Sequence, residues 1–274
     1  MKWGVIGTGN MGQILIEAWM SSRVIDPDQL FITNRTISKA HAIQAVYPDI
    51  HVLEDKNELT TAVDILFICA RPTEIYSLIT EIHGGLASEQ CLISITSPYS
   101  VQRLEQLVPC QVARMIPSIT NRTLCGTTLF SFGETVTKEM KGYLLQSSKL
   151  FSNPQVIDEK VTRIASDIVS CGPAFFSYLA QEFIEAACRD TNITKREATS
   201  LMENMLIGYG KLLEQGHYSL PGLIEKVCVK GGVTGEGIKA LEGEAGRLFS
   251  SLISRTHAKY YEDIEKISYQ MLEG

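Results

Sequence analysis

Residues 2–36 constrain this chain more tightly than any other stretch. An apolar run, Trp3-Gly4-Val5-Ile6, passes at once into Gly7-Thr8-Gly9-Asn10-Met11-Gly12. Apolar residues at helical spacing follow: Met11, Ile14, Leu15, Ala18 and Trp19. A short strand therefore enters a glycine turn, and the turn enters a helix. That context is what gives a G-x-G-x-x-G match its meaning. Gly7 permits the tight turn, Gly9 lets the backbone approach a pyrophosphate, and Gly12 lets helix and strand pack closely. The helix N-terminus would offer unpaired N–H groups and the positive end of its dipole to phosphates.

The second half of the stretch selects the dinucleotide. A further strand, Leu30-Phe31-Ile32-Thr33, ends in Asn34-Arg35-Thr36. An NAD site usually carries an acid about 20 residues past the glycines, bonded to the ribose 2′-OH. Here the strand ends in a guanidinium flanked by two small hydrogen-bonding side chains. A 2′-phosphate needs charge neutralisation and several donors, so the expected cofactor is NADP(H). The alternative is a glycine turn in some other α/β domain, with Arg35 merely solvated.

With 274 residues the chain can form one large domain or two ordinary ones. Hydrophobic residues make up 45% and charged residues 20%, as in a soluble globular protein. The net charge of −6 and the lack of a basic run argue against a general nucleic-acid binder. No apolar run approaches the ~18 residues of a membrane span. The N-terminus does not read as a secretory signal. The seven cysteines are odd in number and form no C-x-x-C. They read as small buried hydrophobes in a reducing cytoplasm. The five histidines are scattered without metal-ligand spacing, so no metal site is expected.

Along the chain, strands alternate with helices to about Asp158. A helical pattern covers residues 38–47, and His51-Val52-Leu53 reads as a short strand. Ile65-Leu66-Phe67-Ile68-Cys69 reads as a buried parallel strand ending in Ala70-Arg71-Pro72. Strands follow at residues 91–95, 111–116 and 127–130, then a helix over 136–150 and a last strand at 155–157. The spacing predicts a doubly wound α/β Rossmann-type domain over residues 1–158. Beyond it, strand signals vanish, and residues 159–274 are expected to be all-α. A helix over 164–189 is expected to break or start near Gly172-Pro173. Thr194 with Glu197 forms a capping box, and a long helix is expected from about Gly243 to Leu272. Small residues on the first helix (Ala174, Ser177, Ala180, Ala186, Ala187) suit either a helical dimer interface or ordinary packing within the chain.

The pattern contains no Ser/His/Asp arrangement, metal cluster or close carboxylate pair. Hydroxyacid dehydrogenases of this architecture use a lysine base on the first interdomain helix. None stands here between Lys160 and Lys195. What remains is Lys230-Gly231-Gly232-Val233-Thr234-Gly235. Paired glycines with a hydroxyl at a helix start can form a nest for a carboxylate. They can equally be a loop with Thr234 as an N-cap.

Five segments together resemble the pyrroline-5-carboxylate reductases over nearly the whole chain. They are residues 4–12, Asn34-Arg35-Thr36, Cys69-Ala70-Arg71-Pro72, residues 112–117, and Gly172-Pro173-Ala174 with the Gly231-Gly232-Val233-Thr234 turn. The resemblance is strongest to a reductase-like branch encoded beside a bacterial late-competence operon. It implies NADPH reduction of the cyclic imine 1-pyrroline-5-carboxylate to proline, in a cytoplasmic homodimer that can build into larger rings. The alternative, motivated by departures on the substrate side, is a regulatory protein that binds NADP(H) with little catalysis. By resemblance, Gly7, Thr8, Gly9, Asn10, Met11 and Gly12 would hold the pyrophosphate, and Asn34, Arg35 and Thr36 the 2′-phosphate. Cys69, Ala70, Arg71 and Pro72 would line the nicotinamide side, with Asn57 a looser cofactor match. The Gly231-Gly232-Val233 backbone would hold the substrate carboxylate, and Thr234 would hydrogen-bond the ring nitrogen as the one catalytic side chain.

Departures from the family pattern cluster on the substrate side. Lys230 replaces the proline before the paired glycines, and Val229 stands where serine is usual. Cys171 replaces the serine before Gly-Pro-Ala, Phe175 the tyrosine after it, and Ser118 an asparagine. The cofactor half keeps its polar groups while the substrate half loses several.

Overall fold

A computed structural model describes residues 1–273 of the chain. The described residues form an eight-stranded sheet in the order β3-β2-β1-β4-β5-β6-β7-β8. Its strands are β1 (Trp3–Ile6), β2 (Leu30–Thr33), β3 (His51–Val52), β4 (Ile65–Ile68), β5 (Cys91–Ser94), β6 (Gln111–Ile116), β7 (Thr127–Phe132) and β8 (Asn153–Val156). Helices α1 (Asn10–Ser22), α2 (Ile37–Val46), α3 (Lys56–Ala62), α4 (Pro72–Ile82), α5 (Val101–Glu105) and α6 (Lys138–Ser148) lie between them. The N-terminal half is therefore a doubly wound, Rossmann-type α/β sheet.

Strand side chains alternate between two apolar layers, as a sheet covered on both faces requires. Trp3, Val5, Ile65, Phe67, Cys91, Ile93, Ala113 and Met115 enter one layer with Leu15 and Trp19 of α1. Leu66, Ile68, Leu92 and Val112 enter the other with Ile75 and Ile79 of α4. In the first layer the rings of Trp3 and Trp19 meet edge-on with centroids 4.9 Å apart.

The sheet is not parallel throughout, as a simple strand-helix alternation would have it. β7 runs antiparallel to β6, with Arg114 opposite Ser131. The link between them is a single 3-10 stretch, Ile119–Thr123. That is too short for the crossover a parallel neighbour needs. β8 is then parallel to β7 because α6 supplies the crossover.

After β8 the described chain is helical: α7 (Thr162–Ser166), a π turn (Asp167–Cys171), α8 (Gly172–Asp190), α9 (Lys195–Glu214), α10 (Leu220–Val227) and α11 (Val233–Glu273). Two details of the last helix differ from the sequence reading, while α8 starts at Gly172-Pro173 as expected. α7 leads through the π turn into α8, which starts at Gly172. Pro173 has no N–H for the carbonyl of Val169, four residues back. The Ser118 hydroxyl donates to that carbonyl at 2.9 Å instead. The last helix starts ten residues earlier than expected, at Val233. Thr234 therefore lies inside its first turn and is not its N-cap. The Thr194–Glu197 capping box forms as read, with the Thr194 N–H donating to the Glu197 carboxylate at 3.0 Å.

Two compact units are present. One is Met1–Gly172 with the chain from Thr256 onward, and the other is Pro173–Arg255. In the first, the end of α11 seals the sheet's second apolar layer through Ile267, which is fully buried. In the second, Ile184 and Ala198 are the buried apolar residues among those described, while Phe176, Phe183, Leu201, Ile207 and Val233 are exposed. Its apolar surface is thus mostly uncovered within a single chain. Among the described residues no helix is long and apolar enough to cross a membrane.

Candidate active site

Strand register brings three distant sequence segments to one edge. Ile6 of β1 lies opposite Thr33 of β2 on one side and Ile68 of β4 on the other. The residues that follow, Gly7, Asn34 and Cys69, therefore emerge together where the strand order reverses, the usual ligand position in open α/β sheets. The Gly7 N–H donates to the Thr33 carbonyl at 2.9 Å, and the Cys69 N–H to the Ile6 carbonyl at 2.8 Å.

Each glycine has a separate physical reason. Gly7 has φ +106°, and a Cβ there would lie 2.4 Å from the Cys69 carbonyl oxygen. A Cβ on Gly12 would lie 2.2 Å from the Gly7 carbonyl oxygen, so α1 packs against the turn only because side chains are absent. At Gly9 an added Cβ meets nothing within 4 Å. The backbone there faces open space, at the N-cap of α1. The first turn of α1 carries no acid, so the helix end stays attractive to anions. The Thr8 Oγ1 beside it is buried without a partner among the described residues. A bare turn, an uncompensated helix end and an orphaned hydroxyl fit a bound pyrophosphate.

A crevice of about 640 Å³ opens beside this turn. Of the residues singled out from the sequence, Gly7, Gly9, Asn34, Arg35, Thr36, Cys69, Ala70 and Arg71 line it. Thr8 and Asn10 line a separate cavity of about 320 Å³ together with Gly9. Met11 and Gly12 lie within the first turn of α1, where Gly12 is buried against the turn. Pro72 starts α4, and its missing N–H costs nothing at that position. Asn57 lies in the first turn of α3, with its N–H on the Asp55 carboxylate at 2.8 Å, while Asp55 and Lys56 line the crevice.

Asn34 is committed to holding the turn. Its Oδ1 accepts from the Thr8 N–H at 2.9 Å, and its Nδ2 donates to the Thr36 carbonyl at 2.9 Å. Arg35 instead projects over the crevice and pairs with Glu74 of α4 at 2.8 Å. Burial resists ionisation of Glu74, but the hydrogen bonds from Arg35 and the Arg71 N–H outweigh it and hold the carboxyl below the usual range. The sequence reading passed over Glu74. An acid three residues after Arg71, at the third position of a proline-started helix, was the available signal. Cys69 lines the crevice, and desolvation by the surrounding protein pushes its thiol up to about 12.

In the second unit, Gly231 has φ +76°, which only glycine adopts without strain. The Gly232 N–H is already used, donating to the Val229 carbonyl at 2.9 Å. Val233 and Thr234 follow as the first residues of α11, where helical N–H groups lack partners within the helix. Lys230 and Val229 are exposed. Cys171, in the first unit, accepts a hydrogen bond from Arg163 at 3.4 Å. Among the described residues, no group of three or more His, Cys, Asp or Glu could hold a metal ion.

Comparison with known proteins supplies a family. Residues 159–263 match the family described as pyrroline-5-carboxylate reductase dimerisation. Residues 2–98 match the family described as NADP oxidoreductase, coenzyme F420-dependent. The chain is 50% identical to ComE operon protein 4 of Bacillus subtilis over 270 residues, covering 98% of this chain and 99% of that one. It is 26% identical to pyrroline-5-carboxylate reductase 3 of the same organism, covering 97% and 98%. The crystal structure of Plasmodium falciparum pyrroline carboxylate reductase with NADP bound superposes with a TM-score of 0.80 at 20% identity, covering 97% of each chain. At that identity the likeness is one of fold.

Proposed function

Given that this chain belongs to the pyrroline-5-carboxylate reductase family, we propose that it reduces a cyclic imino acid, 1-pyrroline-5-carboxylate or a close relative, to the saturated amino acid in the cytoplasm. NADP(H) is the cofactor of this oxidoreductase family. The observation that carries the reading is the bare glycine turn beside a crevice overhung by Arg35. NADPH, when bound, supplies the hydride.

The protein's part is to hold and orient. The Gly7–Gly12 turn and the start of α1 neutralise the pyrophosphate. Arg35 and Thr36 take the 2′-phosphate, with Asn34 fixing the turn beneath them. Cys69 and Ala70 line the nicotinamide side. A thiol with so raised a pKa stays neutral there and adds no charge to the site. The Arg71 N–H steadies the Glu74 carboxylate beside Arg35. The first-turn N–H groups at Val233 and Thr234 hold the substrate carboxylate, and the Thr234 hydroxyl bonds the ring nitrogen. Holding both reactants in line supplies much of the rate in such a transfer. The exposed apolar residues of Pro173–Arg255 are covered by a second copy, so the working form is a homodimer. Purified protein should oxidise NADPH in the presence of this imine. Absence of turnover between pH 6 and 9 (a range chosen for the assay) would count against the reading.

A specific observation favours a second reading, a regulatory protein that binds NADP(H) with little turnover. Two substrate-side positions are engaged elsewhere: Ser118 donates to the Val169 carbonyl, and the Cys171 sulfur accepts from Arg163. That reading expects NADPH binding by fluorescence without imine-dependent oxidation, and no rescue of a proline auxotroph. Rescue would rule it out.

A further inference from the structure

The Arg35–Glu74 pair spans the part of the crevice expected to take the adenosine ribose. Arg35 leaves the end of β2 and Glu74 stands at the third residue of α4, yet their charged atoms meet at 2.8 Å. Both line the same crevice as Gly7 and Gly9. Glu74 is held in place from below: its other carboxylate oxygen accepts from the Arg71 N–H at 3.3 Å. The side chains are 82% and 37% exposed, so solvent and salt keep the pair weak enough to open.

A carboxylate and a guanidinium at this point have opposite tastes. A phosphomonoester carries about −1.5 to −2 charges at neutral pH and needs the guanidinium, while a nearby carboxylate repels it. A ribose 2′-OH is a donor that a carboxylate accepts, which is why NAD sites place an acid at this ribose. In most such sites the acid ends the second strand. Here Asn34-Arg35-Thr36 occupies that strand end, and the acid reaches over from the start of α4.

We propose that Glu74 is a specificity-determining residue: it competes with the 2′-phosphate for Arg35 and accepts the 2′-OH of NAD(H), narrowing the preference for NADP(H). The inference rests on the cofactor reading given above, in which Arg35 meets the 2′-phosphate. Glu74 thereby makes the site tolerant of both cofactors rather than strictly selective.

The test compares the full-length wild type, Glu74→Gln and Arg35→Ala by titrating NADPH and NADH and following nicotinamide fluorescence. Glutamine keeps an acceptor for the Arg71 N–H, so the start of α4 is preserved. Glu74→Gln should tighten NADPH about three- to five-fold, the size of an exposed ion-pair effect. It should weaken NADH by a similar factor, and 0.5 M salt (an experimental choice) should shrink the gain for NADPH. Unchanged affinities, or equal tightening of both cofactors, overturn the proposal. Arg35→Ala separates the two levels of the argument. If it selectively weakens NADPH while Glu74→Gln shifts nothing, only the role of Glu74 falls. If it weakens both cofactors equally, the phosphate reading of Arg35 falls and takes this inference with it.

Discussion

A Cβ on Gly12 would stand 2.2 Å from the carbonyl oxygen of Gly7, a distance that backbone cannot relax away. Gly12→Ala should therefore push α1 off the glycine turn, at an overpacking cost of about 1–3 kcal/mol. Both thermal stability and NADPH affinity should fall together. Gly9→Ala is the counterpart, since its Cβ would enter open space. Alanine is a poorer N-cap than glycine, so the exchange should cost no more than about 1 kcal/mol in folding. Its Tm should stay near wild type while NADPH affinity drops at least ten-fold. Calorimetry paired with a cofactor titration distinguishes them, and a Gly9→Ala protein binding NADPH normally would contradict the assignment.

Arg114 is 1% exposed in the middle of β6 and donates to Glu159 at 2.9 Å and to Thr162 at 2.6 Å. It also donates to Ser131 and to the carbonyls of Ser97 and Tyr99. Glu159→Ala would leave a buried charge without its counter-ion. The expected loss is roughly 3 kcal/mol, the low end for such pairs because Glu159 is the more exposed member. Arg114→Met combined with Glu159→Gln should recover part of that loss. Denaturant midpoints of the three proteins decide it, and additive losses in the double variant would show that the pair is not coupled.

Ser118→Ala removes the donor to the Val169 carbonyl and the acceptor of the Thr120 N–H. Since Ser118 is fully buried, the stranded carbonyl should cost about 1–3 kcal/mol. The same substitution should leave the KM for any imine substrate within about two-fold. A large KM change with unaltered Tm would place Ser118 in substrate binding instead.

Burial pushes the thiols of Cys69 and Cys110 up to about 12 and about 11, and that of Cys91 higher still. Folding favours their neutral form, so their contribution is complete below the ordinary thiol value of 9.0 and is lost as pH rises through the raised values. Native protein at pH 8 (an assay choice) should react with a thiol reagent first at exposed Cys125. Cys91 and Cys110, which are buried, should label only on unfolding or in strong alkali. Mass-spectrometric mapping reads this directly, and rapid native labelling of Cys91 would overturn it.

Much of the site was legible because its determinants are local. A glycine turn, the helix that follows it and the arginine at the next strand end are each specified within a few residues. The capping box at Thr194 is local in the same way and formed as read. What could not be read were partnerships between distant segments. An arginine inside the apolar run of β6 was a visible anomaly, but its counter-ion lies 45 residues away in another element. Nothing in the sequence ties Glu74 to Arg35; only the fold brings it there, 39 residues on. Ser118 looked like an altered substrate contact until the carbonyl deprived of a partner by Pro173 was found beside it.

Sequence alone determined the kind of cofactor cradle this chain builds, because strand, turn and helix-start preferences act over neighbouring residues and need no partner. The tertiary structure decided which polar groups are consumed by the fold and which stay available. Hydrogen bonds and ion pairs saturate: Asn34 and Ser118 are each spent on a partner that only three-dimensional packing supplies. Arg35 keeps an exposed guanidinium, and the Glu74 carboxylate reaches it across the crevice.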